Sequence, residues 1–237
     1  MNLLRRNREF WTHERSLSAL LIYLSLMLLL WMPASGHTWL EFIFKDLLFI
    51  LITVAGVYSV LTNWKRQLFF IGLATLAAAL RVVNFLTPSV DLNAVNDALT
   101  ILFFVFLSYF VLHHIFKDGP VNFYRIQGSL AVFMIMGFFW AFLYHLLEDV
   151  NPGSFATMKG PVTLDYGQYV YFSFVTMTTL GYGDITAVHP IARSLVVFEG
   201  MIGLLYPTVM VARLVAMELE HSRSTWAHKE HGKENKG

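Results

Sequence analysis

The sequence predicts an all-α membrane protein: six transmembrane helices, with one short re-entrant helix and a glycine-rich loop between the fifth and the sixth. Three observations carry this. The chain is 56% hydrophobic and only 14% charged, with a mean hydropathy of +0.56, whereas soluble domains carry about 25% charged residues. Six apolar runs, at 16–32, 44–62, 67–86, 96–116, 127–147 and 190–217, are long enough to cross ~30 Å of hydrocarbon, which takes about 20 helical residues. A seventh apolar stretch, 166–178, reaches only half-way at 1.5 Å per residue.

The basic residues orient the spans. Arg5, Arg6, Arg8 and Arg15 precede the first, and Lys65 and Arg66 separate the second from the third. Lys117 and Arg125 separate the fourth from the fifth, and Arg213, Arg223, Lys229, Lys233 and Lys236 close the chain. These thirteen of the seventeen Lys and Arg residues fall on one side, so both termini are expected in the cytoplasm and the loop 148–189 outside. A multi-pass protein of the cell (plasma) membrane follows. The Arg-rich leader, apolar run and Pro33-Ala34-Ser35-Gly36 also fit a signal peptide. The long leader and the odd number of spans that cleavage would leave favour a span.

The loop after the re-entrant stretch reads Thr176-Met-Thr178-Thr179-Leu180-Gly181-Tyr182-Gly183-Asp184-Ile185. Gly181 and Gly183 alternate with larger residues, and glycine takes positive φ without steric cost. Such a backbone can aim successive carbonyls one way, as a ring of carbonyls replacing an ion's water shell requires. Thr179 adds a hydroxyl at the inner mouth, and Tyr182 points outward as a brace. The stretch resembles the selectivity filter of tetrameric potassium channels, Thr-Val-Gly-Tyr-Gly-Asp, with Leu180 in place of the commoner Val. The resemblance implies passive, K⁺-selective conduction, with K⁺ held at the carbonyls of Thr179, Leu180, Gly181, Tyr182 and Gly183 and at the Thr179 hydroxyl. One filter per chain cannot surround an ion, so four copies are expected about an axis.

The flanks fit that expectation. Tyr166 to Thr178 reads as a pore helix with Asp165 as N-cap, its negative C-terminal end aimed at a cation below the filter. Tyr169, Tyr171, Phe172 and Phe174 form an aromatic cuff. By resemblance, Tyr171 stands where relatives carry a Trp that bonds the filter aspartate, here Asp184. Thr178 supports the filter, and Val175 replaces a buried Glu of some relatives. In the sixth span, Gly203 aligns with the family's hinge glycine and Pro207 is expected to kink the helix. Leu204, Pro207, Thr208 and Val211 share one face, which alignment places on the central cavity. Glu199 lies away from that face, and a charge there is costly. It is expected to meet the pore helix or the fifth span, protonated or hydrogen-bonded, in a structural or gating role. Arg193 is expected to pair with Glu148 or Asp149.

The chain thus divides into a four-helix peripheral domain (1–116), a cytoplasmic linker (117–126), a pore domain (127–217) and a short polar tail (218–237). Six spans with the filter before the last resemble voltage-gated channels, but no Arg or Lys lies between Asp97 and Phe116. Each charge moved across the field yields ~2.3 kcal/mol per 100 mV, so ordinary voltage gating is not expected. Arg81, inside the third span, is expected to pair with Asp97 or Asp46. The tail is too short for a nucleotide-binding regulatory domain, and no phosphate-binding loop occurs. No enzyme motif, cofactor or nucleic-acid partner is expected. With no cysteine, disulfides and thiol chemistry are excluded.

Overall fold

A computed structural model describes residues 17–30, scattered helical positions from 68 to 83, and residues 93–116, 121–158, 160 and 164–234, the last twelve as backbone. The predicted second span and Arg81 lie outside the described residues, as does half of the predicted third.

Five described helices and one small sheet organise the chain. Helix α1 spans Leu17–Leu30, α2 Asn93–Ile115, α3 Phe123–Val150, α4 Tyr166–Met177 and α5 Pro190–Glu234. Among the described residues three segments are long and apolar enough to cross a membrane: Asn93–Ile115, Phe123–Val150 and Pro190–Ser222. Helix α4 is too short and lies between the second and third of these.

Helix α3 is the hub. Helix α2 lies along it, with Phe104 ring centroids 6.3 Å from Phe138 and 5.9 Å from Phe142. Helix α1 meets it through Ser18, whose hydroxyl donates to Gln127 Oε1 at 2.5 Å. Gly128 makes room where they converge: a Cβ there would stand 3.1 Å from Ile115 and 3.4 Å from Leu17. The described peripheral helices therefore pack on the pore half of their own chain.

Two boundaries differ from the sequence reading. Helix α3 begins at Phe123, inside the expected linker, because the Asn122 side chain accepts from the Arg125 amide at 3.1 Å and caps it there. Helix α5 continues to Glu234 instead of ending near 217, and it passes through Pro207 without interruption. Asp165 caps α4 in a reciprocal box: Gln168 N–H donates to Asp165 Oδ1 and Asp165 N–H to Gln168 Oε1, both at 2.9 Å.

One element has no counterpart among the sequence expectations. Strand β1 (Phe155–Thr157) pairs antiparallel with β2 (Ile185–Ala187), Ala156 opposite Thr186. The ladder joins the segment that follows α3 to the segment that follows the glycine loop, so it fixes where the loop re-emerges. Glu148 braces the approach by accepting from the amides of Gly153 at 2.7 Å and Phe155 at 3.2 Å.

Candidate functional site

The loop 178–184 leaves the C-terminus of α4, where unpaired helix carbonyls point onward. Those carbonyls take up the loop's amides. Thr176 O accepts from Thr179 N–H at 3.0 Å, and Val175 O accepts from Leu180 at 2.9 Å and Gly181 at 3.4 Å. With the N–H groups turned back into the helix end, the carbonyls of the same peptide planes face away from it. Among the described residues, none of the carbonyls from Thr179 to Gly183 accepts a hydrogen bond. Positive φ recurs at every second residue: Thr179 at 60°, Gly181 at 54° and Gly183 at 79°. Reversing φ at alternate residues keeps successive carbonyls on one side, where a β-strand would alternate them. The glycines adopt this freely. Thr179 is β-branched and does not, and a strained residue of this kind costs ~1–3 kcal/mol.

Support lies on both sides. Tyr182 stacks on Tyr171 with the rings 6° from parallel and centroids 6.5 Å apart, and the Asp184 carboxylate lies near the Tyr171 hydroxyl. Thr178 turns inward and donates its hydroxyl to Phe174 O at 2.6 Å. Of the cuff, Phe174 packs on Phe138 and fits only because position 137 is glycine, where a Cβ would lie 2.6 Å from its ring. Tyr169 and Phe172 pack against Phe155. Val175 contributes its carbonyl to the loop, and its side chain is buried.

Behind the loop sits Glu199, fully buried on α5. The Tyr144 hydroxyl of α3 lies 2.5 Å from Glu199 Oε2, and the Ser173 hydroxyl of α4 lies 2.6 Å from Oε1. A turn further on, α5 crosses the end of α4 at Gly203. A Cβ there would collide with the Met177 carbonyl and lie 2.8 Å from its Cα. Gly203 is thus a close-packing position. Leu204, Pro207, Thr208 and Val211 are all exposed.

Arg193 differs from the expectation. It pairs with neither Glu148 nor Asp149, because Glu148 is committed to the hairpin amides, and its Nε donates to Ala187 O at 3.2 Å. Sequence reasoning also missed a polar joint between the peripheral and pore halves. Asp97 on α2 is fully buried and takes His145 Nδ1 of α3 at 2.6 Å and the Tyr166 hydroxyl of α4 at 3.0 Å. Asp149 lies 3.6 Å from the same His145 nitrogen. Its only sequence signal is one acid in an apolar span. At the other end, Arg213 sits over the Phe116 ring at 5.7 Å, and Glu218 accepts from the Val121 amide at 3.1 Å.

Residues 130–220, which hold all of these groups except the joint's α2 partner and the lower contacts' Phe116 and Val121, match the family model described as "Ion channel". The chain is also 34% identical over 80 residues to the calcium-activated potassium channel slowpoke of Drosophila melanogaster. It is 37% identical over 83 residues to the calcium-activated potassium channel slo-1 of Caenorhabditis elegans. Each match covers 34% of this chain, yet the chain spans only 6% and 7% of those relatives. No solved structure matches. An ion-channel domain points to transport and to a membrane setting, not to catalysis.

Proposed function

We propose that four copies of this chain form a passive, potassium-selective channel, with Thr179, Leu180, Gly181, Tyr182 and Gly183 of each copy supplying the carbonyl rings. The observation that carries this is the alternation of φ sign at 179, 181 and 183, with the amides of Thr179, Leu180 and Gly181 bound behind the loop. It produces an unpaired row of carbonyls on one side, the geometry that dehydrates a cation. Such a backbone is not tolerated against lipid at membrane depth. In one chain the residues 178–183 are all exposed, so other copies must enclose them about an axis. The exposed apolar row on α5, including Val197, Met201, Leu204 and Val211, supports the same assembly. The negative end of α4 points at the space below.

In this reading the filter opens outward, both termini are cytoplasmic and no cofactor takes part beyond the permeant K⁺. Helix α2, which carries no Arg or Lys, supplies no voltage sensor. Calcium activation is not carried over from the relatives, because so little of their length is matched. The test is the reversal potential of the reconstituted protein in a K⁺/Na⁺ gradient with barium as blocker. A value at the potassium equilibrium potential, abolished by barium, supports the proposal. A value near zero indicates an unselective pore, and absence of current across voltage and pH a non-conducting subunit.

A further inference from the structure

The three groups around Glu199 make more hydrogen-bond contacts than an ionised carboxylate leaves protons to fill. The Ser173 hydroxyl stands 2.6 Å from Glu199 Oε1 and 2.8 Å from the Gly137 carbonyl. The Tyr144 hydroxyl stands 2.5 Å from Oε2. Three contacts connect four groups. Gly137 O and an ionised carboxylate only accept, and each hydroxyl donates a single proton. An ionised Glu199 therefore leaves two protons for three contacts, with two oxygens facing each other unbridged. No cation pairs with Glu199 among the described residues, so a charge here would be buried uncompensated.

We infer that Glu199 carries a proton and serves as the middle of a one-way relay. Tyr144 O–H donates to Oε2, Glu199 Oε1–H donates to Ser173 Oγ, and Ser173 O–H donates to Gly137 O. Every contact is then filled and every donor used. The relay ties α5 to α3 at Tyr144 and to α4 at Ser173, and ties α4 to α3 at Gly137. Ser173 lies two residues before the Val175 carbonyl that holds the filter amides. Glu199 is thus a positioning residue for the loop. It acts through the helix end and not on an ion, and the inference stands whether or not the loop conducts.

Glutamine separates the protonated from the ionised state, because its amide N–H₂ can donate to Ser173 while its carbonyl accepts from Tyr144. Reconstituted wild-type protein, Glu199→Gln and Glu199→Ala are compared by infrared difference spectroscopy, by tetramer content on a native gel and by melting temperature. The inference expects the carbonyl-stretch band of a protonated carboxylic acid at neutral pH in the wild type, absent from Glu199→Gln. It also expects Glu199→Gln to assemble and melt as the wild type does, and Glu199→Ala to melt lower by ~5 °C or more. No such band, or Glu199→Gln as destabilised as Glu199→Ala, overturns it. None of the three readouts involves ionic current, so a failure here is distinct from a failure of the conduction proposal.

Discussion

The two halves of α5 are held by different means. Above Pro207 the helix is locked to its neighbours by short contacts: the Glu199 carboxyl reaches Tyr144 and Ser173, and the bare Gly203 backbone lies against Met177. Below Pro207, among the described residues, Met210 and Leu214 are buried, and two long side chains make attachments, Arg213 over Phe116 and Glu218 at the Val121 amide. Close backbone contact permits one arrangement, whereas long exposed side chains hold a position weakly. The upper half therefore fixes the loop 178–184, and the lower half is the more weakly held part. Its two attachments end at Phe116 and Val121, the junction between the peripheral and pore halves.

Substitutions can break this contrast. The largest effect is expected from Gly203→Ala, since backbone stands where the methyl would go, and overpacking of this kind costs ~1–3 kcal/mol or more in each copy. Loss of the tetramer on a native gel is the expected result. Gly200→Ala, one turn above and with nothing within 4 Å of its Cβ, should assemble normally. Equal behaviour of the two would refute the close-packing role.

Next comes Gly181→Ala. Space is open around it, but an alanine at φ 54° is strained by ~1–2 kcal/mol. The reversal potential should move from the potassium equilibrium value toward zero while the tetramer survives. Normal selectivity would contradict the filter assignment.

His145→Ala sharpens the picture at the outer end of α3. It leaves Asp97 buried with one fewer partner, and breaking a buried pair costs ~3–5 kcal/mol. The partial exposure of His145 and the retained Tyr166 bond place the expected loss at the lower edge of that range, read as a fall in melting temperature. Smallest of all is Glu218→Gln, an exposed contact worth ~1 kcal/mol or less. It should leave melting and selectivity unchanged and alter only the open probability in single-channel records. A change in selectivity would show that the lower half is not separable from the filter.

Much of the pore half is legible in the sequence, because its constraints are local. The Gly181 and Gly183 spacing, the Asp165 cap and the sidedness of Glu199 each follow from neighbours within a turn or two. The features that are not legible depend on partners far along the chain. Asp97 and His145 are 48 residues apart, and nothing in either neighbourhood names the other. Strands β1 and β2 have three residues each, too few to show a period of two. Proximity alone assigns Arg193 an acid, but Glu148 is taken by amides that carry no sequence signal. The Asn122 cap is within reach of sequence reasoning: a capping residue just before an aromatic run marks a helix start.

Thr179 bears on how this loop could be redesigned. Its backbone is the one position in the row where chemistry and conformation disagree, since a β-branched side chain sits at φ 60°. Asparagine would ease that disagreement while keeping a polar side chain, because it tolerates the left-handed region, yet it would replace a compact hydroxyl with a planar amide at the mouth of the loop. An engineer selecting for stability alone would be drawn to that exchange and would give up the hydroxyl ring in making it.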